Sequence, residues 1–251
     1  RRDIRLPHVR HLLCGGSQPP RPLIERFRRE FGLTLVQGWG MTETSPLASV
    51  SWPSAEMRDW DDDRLTNTVR TQAGIPLPGV QVTIRGDNDQ DVPWDGKTMG
   101  ALLVRGPWVV GSYLHGEGQE QFTPDGWFRT GDVAIGSPTG YFVIADRTKD
   151  LIKSGGEWIS SVDLESAIMA MPSVAQAAVI AIPDEKWQER PLACIVPRAG
   201  ATVSLESVHD GLLAAGFAKW QLPERIEIID EVPLTSVRKF DKKALRMRFP
   251  I

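Results

Sequence analysis

The chain has 251 residues, 41% of them hydrophobic and 24% charged, enough for one large domain or two smaller ones with real cores. A net charge of −3 argues against a nucleic-acid surface, which needs a basic face to meet phosphates. No apolar run approaches the roughly 20 residues that span a bilayer, and the basic start RRDIRLPHVR lacks the apolar core of a signal peptide. Val9–Cys14 reads as a strand running into a Gly15-Gly16 turn. Pro19, Pro20 and Pro22 then open a helix that carries Leu23, Ile24, Phe27 and Phe31 on one face and stops at Gly32. Leu33–Val36 is a second strand, so residues 1–65 have the form of the tail of an α/β layer, where loops after strands collect ligands. The acidic patch Asp59–Asp63 reads as a solvated loop.

From 66 to 148 the pattern changes to short strands with turn punctuation. Val80, Val82 and Ile84 alternate with polar residues, and Asp87–Gln90 supplies a turn. Ala101–Arg105, Val109–Tyr113 and Tyr141–Ala145 are further strands, which together predict a small β-barrel or sandwich. Beyond Arg147 helices and strands mix again. Ser161 caps a helix through Leu164, Ala167, Ile168 and Met171. Ala177–Ile182 and Ala193–Val196 are strands, and Ser204–Ala215 is a helix closed by Gly216. Arg225–Ile229 is a strand and Lys239–Phe249 a last helix, which makes residues 149–251 a separate α+β domain.

The segment Gln37–Pro46, QGWGMTETSP, concentrates chemistry. Gly38 and Gly40 allow a tight turn and a close ligand approach. Trp39 offers a flat face for a base, Thr42 a hydroxyl for a phosphate oxygen, and Glu43 a carboxylate for a hard cation such as Mg²⁺. The same ten residues also suit an ordinary polar, glycine-rich loop. Cys14 and Cys194 each lie in an apolar segment, as small hydrophobes of a reducing compartment do. The four histidines have no zinc spacing, and no serine sits in a G-x-S-x-G elbow.

With six more segments the pattern becomes specific. LLCGGSQPP (Leu12–Pro20) precedes it; GALLVRGPWVVGSYL (Gly100–Leu114) and GWFRTGDV (Gly126–Val133) follow. Then come GYFVIADRTKDLIKSGGEWISSVDLE (Gly140–Glu165), VAQAAVIAIPDEKWQERPLACIV (Val174–Val196) and VPLTSVRKFDKKALR (Val232–Arg246). In this order they resemble the adenylate-forming superfamily of acyl-CoA synthetases, adenylation domains and luciferases, and the wording is most similar to medium-chain fatty acyl-CoA ligases. The resemblance implies the C-terminal portion of the large domain over 1–148 and a small mobile domain over 149–251. The family's Ser/Thr/Gly-rich phosphate loop ending in Pro-Lys-Gly is not among these residues, which suggests the C-terminal part of a longer cytoplasmic enzyme.

The resemblance also implies roles. Gly15, Gly16 and Ser17 match the segment against the adenine, Trp39 the stacking aromatic beside Gly40, Thr42 the α-phosphate contact and Glu43 the Mg²⁺ ligand. Asp132 matches the carboxylate that accepts the ribose hydroxyls, Arg147 a second ribose or phosphate contact, and Lys149 the hinge. Lys239 matches the adenylation lysine; Lys153, Gly155 and Gly156 match the face presented during thioester formation. ATP, AMP, Mg²⁺ and coenzyme A are the implied cofactors, and a medium-chain carboxylic acid is the implied substrate. Arg238 stands where a glycine is usual, and Gln188 likewise. An enzyme that loads a carrier-protein thiol and a non-catalytic nucleotide-binding fragment are the alternative readings.

Overall fold

Helix α1 (Arg21–Phe31) starts where prolines preset its first turn, and Gly32 ends it in a left-handed conformation at φ 66°. It joins two parallel strands, β1 (His11–Cys14) and β2 (Thr34–Trp39), with Leu12 opposite Leu35. The computed structural model describes residues 6–16, 18–235 and 239–249, so Ser17 and Arg238 lie outside the described residues. β2 pairs antiparallel with β3 (Ser49–Val50), which pairs with β4 (Ile75–Pro76). The second strand therefore does not end at Val36: Gly38 and Trp39 pair with Val50 and Ser49, and the loop begins at Gly40. A Cβ on Gly40 would lie 2.0 Å from the Pro46 carbonyl oxygen, so the crossing of the chain itself demands glycine there.

The acidic patch is not a loop throughout. Asp61 caps the short helix α2 (Asp62–Leu65) by accepting from Arg64 N at 2.7 Å. Asp62 then takes Arg28 at 3.0 Å and the buried Arg70 at 2.9 Å. A π-helical turn, Thr66–Arg70, follows directly.

The β-rich segment holds β5 (Gln81–Arg85), β6 (Met99–Arg105), β7 (Phe128–Gly136) and β8 (Phe142–Arg147), in the order β5-β6-β7-β8. Among the described residues β5 and β8 do not pair, so the sheet is open and not a closed barrel. Four short strands are too few to close around a filled interior. Its buried face is Ile84, Leu102, Val104, Phe128, Ala134 and Phe142, packed with Trp39 and Ala48. Val109–Tyr113 forms no strand: a turn follows Gly106, and Val110 N donates to Glu43 O at 2.8 Å.

The chain divides into two compact units, Arg1–Ile144 and Ala145–Ile251. In the second, β9 (Ile152–Ser154) and β10 (Glu157–Ile159) form a hairpin, and β11 (Val174–Asp184) and β12 (Gln188–Pro197) a longer one. β13 (Arg225–Ile228) runs parallel to β12. Side chains alternate along these strands. Ala177, Val179, Ala193 and Ile195 meet helices α3 (Ser161–Met169) and α4 (Leu205–Ala214). Ala178, Ile180, Leu192 and Cys194 meet Leu245 of α5 (Lys242–Arg248) on the other face. Both faces of the sheet are covered, which is why its strands read as almost continuous apolar runs.

Two helix starts differ from expectation. Ser160, not Ser161, caps α3 by accepting from Asp163 N, because Ser161 is taken up by Asp146. The last helix starts at Lys242 behind an Asp241 cap, which leaves Lys239 ahead of it. No helix among the described residues is long and apolar enough to cross a membrane.

Candidate functional site

In the first unit the sequence-predicted residues gather at the end of β2 and the middle of β7. Two residues of β6, Ala101 and Leu103, oppose Val133 and Arg129, so β7 bulges between them. Gly131 adopts φ 72° at that bulge. Thr130 Oγ1 donates to Leu102 O at 2.9 Å and accepts from Asp132 N at 3.1 Å, which restores hydrogen bonds lost to the bulge. The bulge aims Asp132, only 3% exposed, at the indole of Trp39. Trp39 Nε1 donates to Asp132 Oδ2 at 3.0 Å across 93 residues of sequence. Trp39 is itself 9% exposed and meets Phe142 edge-on at 5.7 Å. Its indole is thus both a core residue and the donor that orients Asp132.

Glu43 lies in a one-turn 3₁₀ helix, Thr42–Thr44. Tyr113 Oη donates to Glu43 Oε1 at 2.7 Å, while Glu43 O takes Val110 N. Phe122 and Phe128 pack edge-on against the Tyr113 ring at 5.8 and 6.2 Å. Burial, and then the neighbouring Glu43 carboxylate, push the Tyr113 phenol up to about 12. Tyr113 therefore stays protonated and acts as a donor to Glu43. It was missed in the sequence because Val109–Tyr113 resembles a strand; its place in the Gly100–Leu114 segment was the only signal. Thr42, Gly40, Gly15 and Gly16 are exposed beside this turn or at the end of β1.

In the second unit Arg147 ends β8 and is exposed, as are Thr148 and Lys149. Asp150 N and Leu151 N both donate to Arg147 O, closing a turn at this point. Gly155 and Gly156 form the turn of the β9–β10 hairpin, and Lys153 Nζ lies 4.2 Å from the Trp158 ring centroid. Trp187 packs against Gly155 so closely that a Cβ there would lie 2.7 Å from the indole. An open groove of about 380 Å³ lies elsewhere, on β5 and β6, but the one beside Gly155 holds about 240 Å³. Ser154, Glu157, Trp187, Arg190 and Trp220 line it with Gly155. Trp187 and Trp220 are 41% and 43% exposed, aromatic surface that the sequence did not single out. Arg190 is held beneath by Glu224, Ser154 Oγ, Trp220 O and Leu222 O. Lys239 is exposed and held by its backbone, its N donating to Thr235 Oγ1 at 3.2 Å and its O accepting from Thr235 N at 2.8 Å.

Residues 1–114 match the family model of the AMP-binding enzymes, and 163–239 match the AMP-binding enzyme C-terminal domain. The chain belongs to the adenylate-forming, AMP-binding superfamily. It is 47% identical over 247 residues to a long-chain-fatty-acid–CoA ligase of Thermus thermophilus, covering 98% of this chain and 45% of that protein. It is 38% identical over 238 residues to a medium-chain-fatty-acid–CoA ligase of Ectopseudomonas oleovorans, covering 95% and 43%. Among solved structures, o-succinylbenzoate CoA synthetase from Bacillus subtilis, in complex with an acyl-adenylate intermediate, matches with TM-score 0.80 and 31% identity, over 96% of this chain and 47% of that one. The chain thus spans less than half the length of these relatives.

Proposed function

We propose that the full-length product of this gene is an ATP-dependent, AMP-forming fatty acyl-CoA ligase. What carries the reading is the Trp39–Asp132 hydrogen bond, which joins two distant family segments into one buried, oriented carboxylate. The acid's carboxylate oxygen attacks the α-phosphorus of ATP and pyrophosphate leaves. The thiol of coenzyme A then attacks the acyl carbon, gives up its proton, and AMP leaves as the thioester forms. The first step joins two anions, so charge neutralisation and orientation dominate its barrier.

In this reading Asp132 accepts the ribose hydroxyls, and Trp39 fixes that carboxylate and offers the base the uncovered margin of its ring. Gly15 and Gly16 lie against the base, and Arg147 provides a second ribose or phosphate contact. Thr42 donates to an α-phosphate oxygen. Lys239 places a compact positive charge between carboxylate and phosphate. Lys149 serves as hinge, while Lys153, Gly155 and Gly156 face the thiol. The groove between Trp187 and Trp220 extends that face with aromatic surface.

Among the described residues no three His, Cys, Asp or Glu side chains form a metal cage. Glu43 alone fits Mg²⁺, a hard cation commonly held by one or two carboxylates together with substrate phosphates and water. Its backbone is pinned by Val110 and one oxygen by Tyr113. Bound there, the cation would offset phosphate charge.

The acid is a medium-chain fatty acid in this proposal, and the 47% identical relative makes a long-chain acid the competing outcome. The full-length protein should release pyrophosphate and form octanoyl-CoA from ATP, octanoate and coenzyme A. Faster turnover of palmitate would shift the substrate to long chains; acyl transfer only to a carrier-protein thiol would overturn the ligase reading.

A further inference from the structure

Lys239 is one residue from Phe240, which bridges Leu234, and two from Asp241, whose N donates to Pro233 O at 2.7 Å. Asp241 also caps α5 through Ala244 N. The position of Lys239 is therefore the position of α5. That helix has only seven residues, far too few to be stable alone, so its placement is set by what it docks on.

Leu245 buries it, but apolar packing is non-directional and leaves rotation about the helix axis loosely defined. Two cations four residues apart on one face remove that freedom. Lys242 Nζ lies 2.8 Å from Glu165 Oε1 and donates to Ser161 Oγ, which donates to Asp146 Oδ2 at 2.6 Å. Arg246 Nη2 donates to Asp150 Oδ1 at 2.6 Å and to Lys149 O at 3.1 Å. Asp146 in turn accepts from Arg147 N at 2.7 Å. Arg246 thus ends on Lys149 and Asp150 directly, while Lys242 ends on Glu165 and Ser161 and reaches Asp146 only through Ser161. Charge-assisted hydrogen bonds of this kind fix geometry as well as adding energy.

We propose that Lys242 and Arg246 are positioning residues that lock α5, and with it the Leu234–Phe240 bridge beside Lys239, onto Asp150, Ser161 and Glu165 on the C-terminal side of Lys149, so that Lys239 keeps a fixed orientation as the small domain turns about that hinge. The proposal rests on the reading of Lys239 as the group acting on carboxylate and phosphate. Buried ion pairs contribute little net stability, so the role assigned to this one is orientation.

The test uses the full-length protein, with ATP–pyrophosphate exchange, acyl transfer from supplied acyl-adenylate to coenzyme A, and amide hydrogen exchange. Arg246→Gln and Asp150→Asn should each lower the exchange kcat about 10- to 100-fold at unchanged KM for ATP, as expected of an ångström-scale misplacement. Amide exchange at Thr235 and Asp241 should quicken about 10-fold while the β11–β12 amides keep their protection. Arg246→Lys should recover most of the rate. Lys242→Met should act like Arg246→Gln; if it fails to fold, the partly exposed Arg246–Asp150 pair decides alone. Wild-type kcat and wild-type protection in Arg246→Gln, beside an inactive Lys239→Ala, would overturn the positioning role and leave the ligase reading standing. Full adenylation by Lys239→Ala would overturn both.

Discussion

In the first unit each acidic group of interest accepts a hydrogen bond from an aromatic side chain, Asp132 from the Trp39 indole and Glu43 from the Tyr113 hydroxyl. In the second unit the lysines of interest stand at the surface: Lys153 lies over an aromatic face, and Lys239 is fixed through its backbone. Donors of this kind fix the direction of a carboxylate, so the first unit has the character of a preset receptor. A surface ammonium keeps its hydration until a partner arrives, which suits a group that is brought to its work. The contrast teaches that one unit invests in fixed orientation of acceptors and the other in reach of cations.

The contrast breaks first at the lysines. Lys239→Ala in the full-length protein should lower adenylation about 100- to 1,000-fold, the cost of removing one transition-state donor. Acyl transfer from supplied acyl-adenylate should persist. Lys153→Ala should show the opposite bias, and equal loss of both half-reactions in both variants would show that the two lysines do not act in separate steps.

Next come the fixed acceptors. Trp39→Phe keeps the apolar contact with Phe142 but takes one donor from a buried carboxylate, at a cost of about 1–3 kcal/mol. Calorimetric AMP affinity should fall accordingly. In a double-mutant cycle, Trp39→Phe should have no further effect on affinity once Asp132→Ala is present. Tyr113→Phe should be milder. It releases Glu43 Oε1 from a hydrogen bond to a charged group worth about 1.5–3 kcal/mol, part of which water restores. The Mg²⁺ concentration for half-maximal pyrophosphate release should rise, with thermal stability lowered by a few degrees at most.

Much of this arrangement was legible in the chain itself, and the illegible part has a physical cause. Period-2 alternation at Val80, Val82 and Ile84 located β5, and the prolines and Gly32 bounded α1, because those signals are local. Trp39 and Asp132 could each be named from their segments, yet nothing local says that an indole 93 residues away donates to that carboxylate. The expected strand Val109–Tyr113 failed because an apolar alternation was spent on holding Glu43 and not on a ladder. The expected barrel failed because strand count and closure are properties of pairing, which short strands do not announce. Lys239 was assigned to a helix since Asp241, two residues on, has an equally good claim to be the cap.

The smallest effect expected concerns pH, and it separates the units by sign. In the first unit the Arg70 guanidinium, hydrogen-bonded to Asp62, lowers that carboxyl below its ordinary 3.8, and Arg85 does the same to Asp125. Such groups contribute stability that is present above the ordinary value and lost as pH falls through the folded one. In the second unit burial raises Glu165 above its ordinary 4.5 despite Lys242. A raised carboxyl binds its proton more tightly in the folded state, so its contribution is full below 4.5 and lost as pH rises through the folded value. Acidification from neutral pH should therefore first favour the second unit and then, below about 4, weaken the first. Scanning calorimetry from pH 7 to pH 3 should record the two transitions moving apart. Asp62 is half exposed, so solvent screening limits its share to about 1 kcal/mol or less, a shift of roughly 2–4 °C. Asp62→Asn should flatten the acid limb of the first transition, and Glu165→Gln should flatten the dependence of the second. Parallel movement of both transitions in all three proteins would show that the units share one titration, and the difference in how they hold their charges would lose its thermodynamic basis.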